Sequence, residues 1–210
     1  MNQPKILRIF LVRHGHYGGQ PKPVELRSPA HNGNLTPLGM EQARRLGGRL
    51  VDQAFDCVYT TDTPRTRQTA AEVVRRNNHA PPLVAVKKLC EVQGDHVRPD
   101  PEPATTKRRQ MLHDERQLVE RFVRKLKKHR AGSNILVVGH GTLNCMLVHL
   151  LAERDPRQAL PMGAANTGVT ILEIVKGRRP PGHSPARLQL CNCTSHLAVD
   201  RNGRLSNSLQ

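Results

Sequence analysis

The chain has no Trp, two Tyr and three Phe, so aromatic residues make up only 2% of it. The stacking platforms that single-stranded nucleic-acid binders use are therefore almost missing, and no nucleic-acid partner is expected. Leu, Val, Ile and Ala must supply most of the core. Long apolar runs are missing too. The longest, Leu143 to Ala152, falls well below the roughly 20 residues of a membrane span, so no membrane partner is expected. The opening MNQPKILRIFLVRHG has a short apolar run broken by Arg8, which reads as a first strand and not as a signal peptide. Cysteine is sparse and odd in number: Cys57, Cys90, Cys145, Cys191 and Cys193, without paired metal-finger spacing. These read as reduced, mostly buried thiols in a cytoplasmic protein, with Cys191 and Cys193 on one face of a strand. Carboxylates are scarce as well. The net charge of +16 favours anionic partners, phosphorylated substrates among them.

What is there alternates between strand-like and helix-like segments, which predicts a three-layer α/β/α sandwich around a mostly parallel sheet with helices on both faces. The expected strands are Ile6 to Val12, Phe55 to Thr60, Leu83 to Val86, Asn134 to Val138, Gly168 to Val175 and Arg187 to Leu190. Thr36-Pro37 and Thr63-Pro64 each predict an N-cap followed by proline in the first helical turn. Leu118, Val119, Phe122, Val123 and Leu126 form a helical stripe with Arg and Lys on the other face, and a further helix is expected over Leu143 to Glu153. The Pro-, Gly- and charge-rich zones Gln20 to Asn34, Val97 to Thr106 and Lys176 to Pro185 read as loops too short to link domains. One domain over residues 1–210 is expected, with a core from about 6 to 197 and a tail from 198 to 210.

Two strand ends carry the chemistry. The first ends in Arg13-His14-Gly15 and the later one in Gly139-His140-Gly141. In open α/β sheets ligands bind beyond the carboxyl ends of strands, where the two His can meet. Gly15 and Gly141 would let backbone approach a ligand closely. Arg65 lies just inside a helix start, a position suited to an anion. Arg13, Arg65, His14 and His140 together would make a compact site for a dianionic phosphate. The His14-x-His16 spacing has a metal-ligand look, but Arg13 beside it repels a cation, so no metal is expected.

These segments, taken in order, resemble the histidine phosphatase (phosphoglycerate mutase-like) superfamily. LVRHG (Leu11 to Gly15) is similar to its RHG signature, LTPLGMEQA (Leu35 to Ala43) to LTxxGxxQA, and TTDTPRTRQTA (Thr60 to Ala70) to SSxxxRAxQTA. LCE (Leu89 to Glu91) resembles the LxE that carries an acid–base carboxylate. VVGHGTL (Val137 to Leu143) resembles the segment of the second His, and NTGVTIL and CNCTSHL the last-strand patterns. Gln20 stands where many mutases have Asn. After Glu91 the usual Gly-x-x-E-G is replaced by VQGDHVRPDPEP, which is similar to the stretch in mitochondrial phosphoglycerate mutase-like Ser/Thr phosphatases.

The resemblance implies phosphomonoester hydrolysis without metal or cofactor. His14 would attack phosphorus, while Arg13, Arg65 and a cationic His140 would hold the oxygens. Glu91, with a raised pKa in a partly dry pocket, would act as general acid and then base, with Asp95 and His96 next in line. Arg13, Arg65, Gly15, Gly141 and Arg98 would bind the substrate, either a phosphorylated small molecule or a phosphoprotein. A phosphoglycerate mutase is the alternative within the family, set against by the short run after Glu91. A basic polyanion-binding protein without catalysis is the alternative of another class; a solvated face explains the Arg116 to Arg130 helix at least as well.

Overall fold

The computed structural model describes residues 6–18, 33–92, 105–155, 164–177 and 184–198. Most of the three expected loops and nearly all of the tail lie outside them. The order is β1 (Ile6–Arg13), α1 (Pro37–Arg49), β2 (Cys57–Thr61), α2 (Pro64–Arg76), β3 (Leu83–Val86), α3 (Thr106–Lys127), β4 (Asn134–Gly139), α4 (Gly141–Leu151), β5 (Val169–Val175) and β6 (Ala186–Cys193), closed by a short 3₁₀ turn at Ser195–Leu197. All six strands share one sheet in the order β3-β2-β4-β1-β5-β6. The first four are mutually parallel; β5 is antiparallel to β1, and β6 to β5.

Strand alternation divides the core into two layers. Leu7, Ile9 and Leu11 of β1, with Ile135 and Val137 of β4, face Val119, Phe122 and Leu126 of α3 and Leu143, Met146 and Leu147 of α4. Phe10 and Val12, with Leu136 and Val138, face Leu46 of α1 and Ala70 and Val73 of α2. Helices thus cover both faces, as the alternation predicts. Phe122 meets Tyr59 edge-on at 5.5 Å and Phe10 meets Phe55 at 5.1 Å, so four of the few aromatics are spent on packing.

Two local expectations are corrected. Thr36 caps α1 by accepting the Gly39 N–H at 3.1 Å, but Thr63 makes no such cap. Its hydroxyl pairs with Thr66 Oγ1 at 2.9 Å instead. The cysteines are free but not mostly buried: Cys57 and Cys145 are buried, Cys193 is half-buried, and Cys90 and Cys191 are exposed. Cys90 follows the turn at Lys87 and Lys88 after β3. The last strand extends past Leu190 through a bulge, with Asn192 in the left-handed region at φ +45°, so Cys191 and Cys193 are not simple alternate positions.

Among the described residues no helix is long and apolar enough to cross a membrane.

Candidate active site

Parallel pairing brings the two histidines together. Arg13 of β1 stands opposite Gly139 of β4, and the next residue on each strand is a histidine. The His14 N–H donates to the Gly139 carbonyl at 3.0 Å. Both imidazoles are buried, with ring centroids 5.2 Å apart. One strand over, β2 ends at Thr61, and α2 begins at once and carries Arg65 in its first turn. α4 has His140 as its N-cap residue and no side-chain cap, so its positive end borders the same spot.

The hydrogen bonds fix both rings. His14 Nδ1 lies 2.7 Å from the Gly15 carbonyl, which only accepts, so Nδ1 carries the proton and Nε2 presents a lone pair. Arg65 Nε donates to that Nε2 at 3.2 Å. Thr61 spends its hydroxyl hydrogen on Thr66 Oγ1 at 3.0 Å, so the 2.9 Å contact with His140 Nε2 is donated by the ring. His140 Nδ1 is then the acceptor for Arg65 Nη2 at 3.3 Å. One guanidinium, 4% exposed, thus bridges two imidazole lone pairs.

Burial is the main reason why the His14 pKa falls from 6.5 to about 3; the Gly15 bond opposes this, and the Arg65, Arg13 and His16 charges add to it. His140 is also pushed well below the ordinary value, by burial first and then by His14, Arg65 and Arg13. In the free site it is neutral, because burial and two guanidinium groups oppose a further positive charge.

Glu91 reaches the same cluster, with Oε2 3.3 Å from Arg65 Nη2 and 4.0 Å from His140 Nδ1. The segment holding it is tied to the end of β2 by the Asp62 N–H, which donates to Leu89 O at 3.3 Å. Its side chain is 45% exposed, which corrects the expected dry pocket. Arg13 lies beside Gly141 and donates from Nη1 to the Ala164 carbonyl; its Nε is buried without a partner.

Gly15 also has a packing role. Its N–H is engaged by Thr69 Oγ1 at 3.0 Å, and a Cβ there would lie 2.6 Å from the Gly39 carbonyl oxygen. The glycine admits the start of α1. A Cβ on Gly141 would come within 3.0 Å of Ala164 Cβ, so its small size serves the same loop that holds Arg13. Gln20, Asp95, His96 and Arg98 lie outside the described residues.

Three residues were missed from the sequence. Tyr17 lays its ring over the Arg65 guanidinium at 4.5 Å and meets His14 edge-on at 5.3 Å. Asn166 Nδ2 donates to the His14 carbonyl at 2.9 Å. Thr69 Oγ1 joins the Gly15 N–H to the Arg65 carbonyl, to which it donates at 2.8 Å. The signal for Tyr17 was its place three residues after His14; for Asn166 it was the NTG motif. His16 turns away, with Nδ1 2.8 Å from Thr36 Oγ1, and no metal-binding cluster is found among the described residues.

The model for the histidine phosphatase superfamily (branch 1) matches residues 9–180. Similar solved structures include phosphoserine phosphatase from Entamoeba histolytica in complex with 3-phosphoglyceric acid (TM-score 0.64, 18% identity, covering 91% of this chain and 100% of that one). Alpha-ribazole phosphatase from Shigella flexneri gives TM-score 0.64 at 22% identity, over 89% and 96%. Phosphoglycerate mutase from Bacillus anthracis gives 0.63 at 19%, over 92% and 96%. No curated protein sequence matches the chain.

Proposed function

Because the chain belongs to the histidine phosphatase superfamily (branch 1), we propose that it hydrolyses phosphomonoesters through a phosphohistidine on His14, without a metal ion. The observation that carries this reading is the tautomer of His14. With Nδ1 bonded to Gly15 O, the Nε2 lone pair faces Arg65 and His140, where a phosphoryl group would sit. Neutral imidazole is the nucleophilic form, and burial keeps it so.

The donors that hold the two lone pairs in the free site are the ones a phosphate would recruit. Arg65 Nε and Nη2 transfer from the imidazoles to phosphoryl oxygens, and the dianion offsets the burial that keeps His140 neutral, so His140 can then take a proton. Arg13 contributes positive charge from behind Gly141. Glu91, at the solvent edge, protonates the departing alkoxide as the P–O bond breaks, and later takes a proton from the water that attacks phosphohistidine.

The exposure of Glu91 and the charge of +16 favour a substrate whose leaving group extends into solvent: a phosphorylated Ser or Thr side chain, or another bulky phosphoester. The test is a kcat/KM panel of phosphopeptides, phosphoserine, aryl phosphate, sugar phosphates and 3-phosphoglycerate in excess EDTA. Phosphopeptide preference with retained activity is expected, and Glu91→Gln slows alkyl phosphates far more than activated aryl ones. Conversion of 3-phosphoglycerate to 2-phosphoglycerate as the best reaction would favour a mutase instead.

A further inference from the structure

Cys191 and Cys193 flank the bulge residue Asn192 at the end of β6, on the edge of the sheet. Antiparallel pairing puts this end beside Val169, and so beside the carboxyl end of β1. Arg49 of α1 reaches across and donates from Nη2 to Cys193 Sγ at 3.4 Å. The same guanidinium is fixed by Cys193 O and His196 Nδ1, both at 3.2 Å. Ser195 Oγ stands 3.4 Å from the sulfur. Cys193 is thus a half-buried thiol in an electropositive corner, the setting in which thiolates form. Burial pushes this thiol up, but the bonds to Ser195 and Arg49 and the Arg49 charge outweigh it and bring it below the ordinary thiol value. By contrast, burial raises the pKa of Cys57, and partial desolvation of the sulfur with the charges of Glu115 and Glu91 raises that of Cys90.

The residue between the two thiols holds the loop that holds the catalytic strand. Asn192 Oδ1 accepts the Ala165 N–H at 2.9 Å, and its own N–H donates to Thr170 Oγ1 at 3.0 Å. From the loop, Ala164 O accepts Arg13 Nη1, the Thr167 N–H donates to Arg13 O at 3.0 Å, and Asn166 Nδ2 donates to His14 O. A second route runs from Arg49 through His196, whose Nε2 lies 3.0 Å from Thr167 Oγ1.

We propose that Cys191 and Cys193 form a redox-active pair, with Cys193 as the reacting thiolate, and that its oxidation by hydrogen peroxide displaces Asn192 and loosens the loop that holds Arg13 and His14. The Cys193 sulfur attacks one peroxide oxygen; an S–O bond forms, the O–O bond breaks and hydroxide leaves, so that sulfur is oxidised by two electrons and peroxide is reduced. The Cys191 sulfur then attacks the sulfenic sulfur, an S–S bond forms, and the S–O bond breaks with release of water. Asn192 lies between the two thiols in the left-handed region at φ +45°, within the bulge, and a bulge bends its strand locally.

The test is mild peroxide treatment of the full chain, alkylation and peptide mass spectrometry, followed in parallel by aryl phosphatase activity and by the amide NMR signals of residues 165–167. The Cys191/Cys193 peptide should lose two hydrogens while Cys57, Cys90 and Cys145 stay alkylatable. The loop signals should move, and activity should fall by roughly tenfold or more, since small misplacements of reacting groups are costly. Dithiothreitol should restore both. Cys191→Ser should stop at a dimedone-reactive Cys193, Cys193→Ser should be insensitive, and Arg49→Met should react more slowly. The activity arm rests on the phosphatase reading, but the mass and NMR arms do not, so the two ideas fail separately. Oxidation of Cys90 before the pair, unchanged peroxide sensitivity in Cys193→Ser, or complete pair oxidation with unmoved loop signals would overturn the proposal.

Discussion

His14 and Arg65 meet through one hydrogen bond, Nε to Nε2 at 3.2 Å, in which the arginine occupies the lone pair that the proposed reaction needs. The contact orients the proposed nucleophile, and the Arg65 charge adds to the burial that keeps it unprotonated. On the proposed reading, this donor moves to a phosphoryl oxygen when phosphate arrives.

Arg65→Lys should therefore be a severe variant despite its kept charge. A single ammonium cannot span His14, His140 and Glu91 as the planar fork does. A loss of about 10²–10³ in kcat, equivalent to about 3–4 kcal/mol, is expected from steady-state kinetics, as for removal of one preorganised donor.

The His14 ring should titrate far from the usual value. In ¹H–¹⁵N NMR its midpoint should lie near 3, not near 6.5. The groups facing it are Arg65 and Tyr17 above, His140 beside it, and Arg13 and His16 along its own chain. Tyr17→Ala admits water to the ring and should raise the midpoint; Tyr17→Phe keeps the contact and should leave it low. The same shift affects stability. The unfolded chain takes up protons on His14, His140 and His196 below pH 6.5, whereas the folded chain resists until about pH 3 for His14 and about pH 4 for His196. Their contribution is present above pH 6.5 and is lost as pH falls through that window, so urea midpoints should drop steeply from neutral to acid pH.

A third expectation concerns two glycines that touch. A Cβ on Gly39 would lie 1.9 Å from the His16 carbonyl oxygen, and one on Gly15 2.6 Å from the Gly39 carbonyl oxygen. Backbone must move in either case. Gly39→Ala should cost about 1–3 kcal/mol in denaturant unfolding, the usual range for overpacking, and should lower activity by shifting the His14 segment.

Much of this was legible because it is periodic. Strand alternation and the α3 stripe gave the layers, and the RHG and GHG ends placed His14 and His140 at neighbouring strand tips. What was hidden depends on partners far away in the chain. Gly15 is small because Gly39, on the next helix, needs the room. Thr63 follows the capping pattern, yet its hydroxyl turns to Thr66, which also contacts Thr61. Neutral His140 follows from burial among cations that only the fold assembles. The two late cysteines escape simple alternation because a single left-handed residue, Asn192, sits in a bulge between them.

The phosphoryl acceptor is the central claim, and a rapid-quench labelling experiment tests it most directly. Enzyme mixed with ³²P-labelled aryl phosphate and quenched in alkali should carry label at up to one phosphate per chain, acid-labile and alkali-stable, on the peptide that contains His14. His14→Ala should carry none and should turn over no substrate, while keeping its circular dichroism spectrum. A label that survives in His14→Ala, or one that alkali removes, would contradict the account.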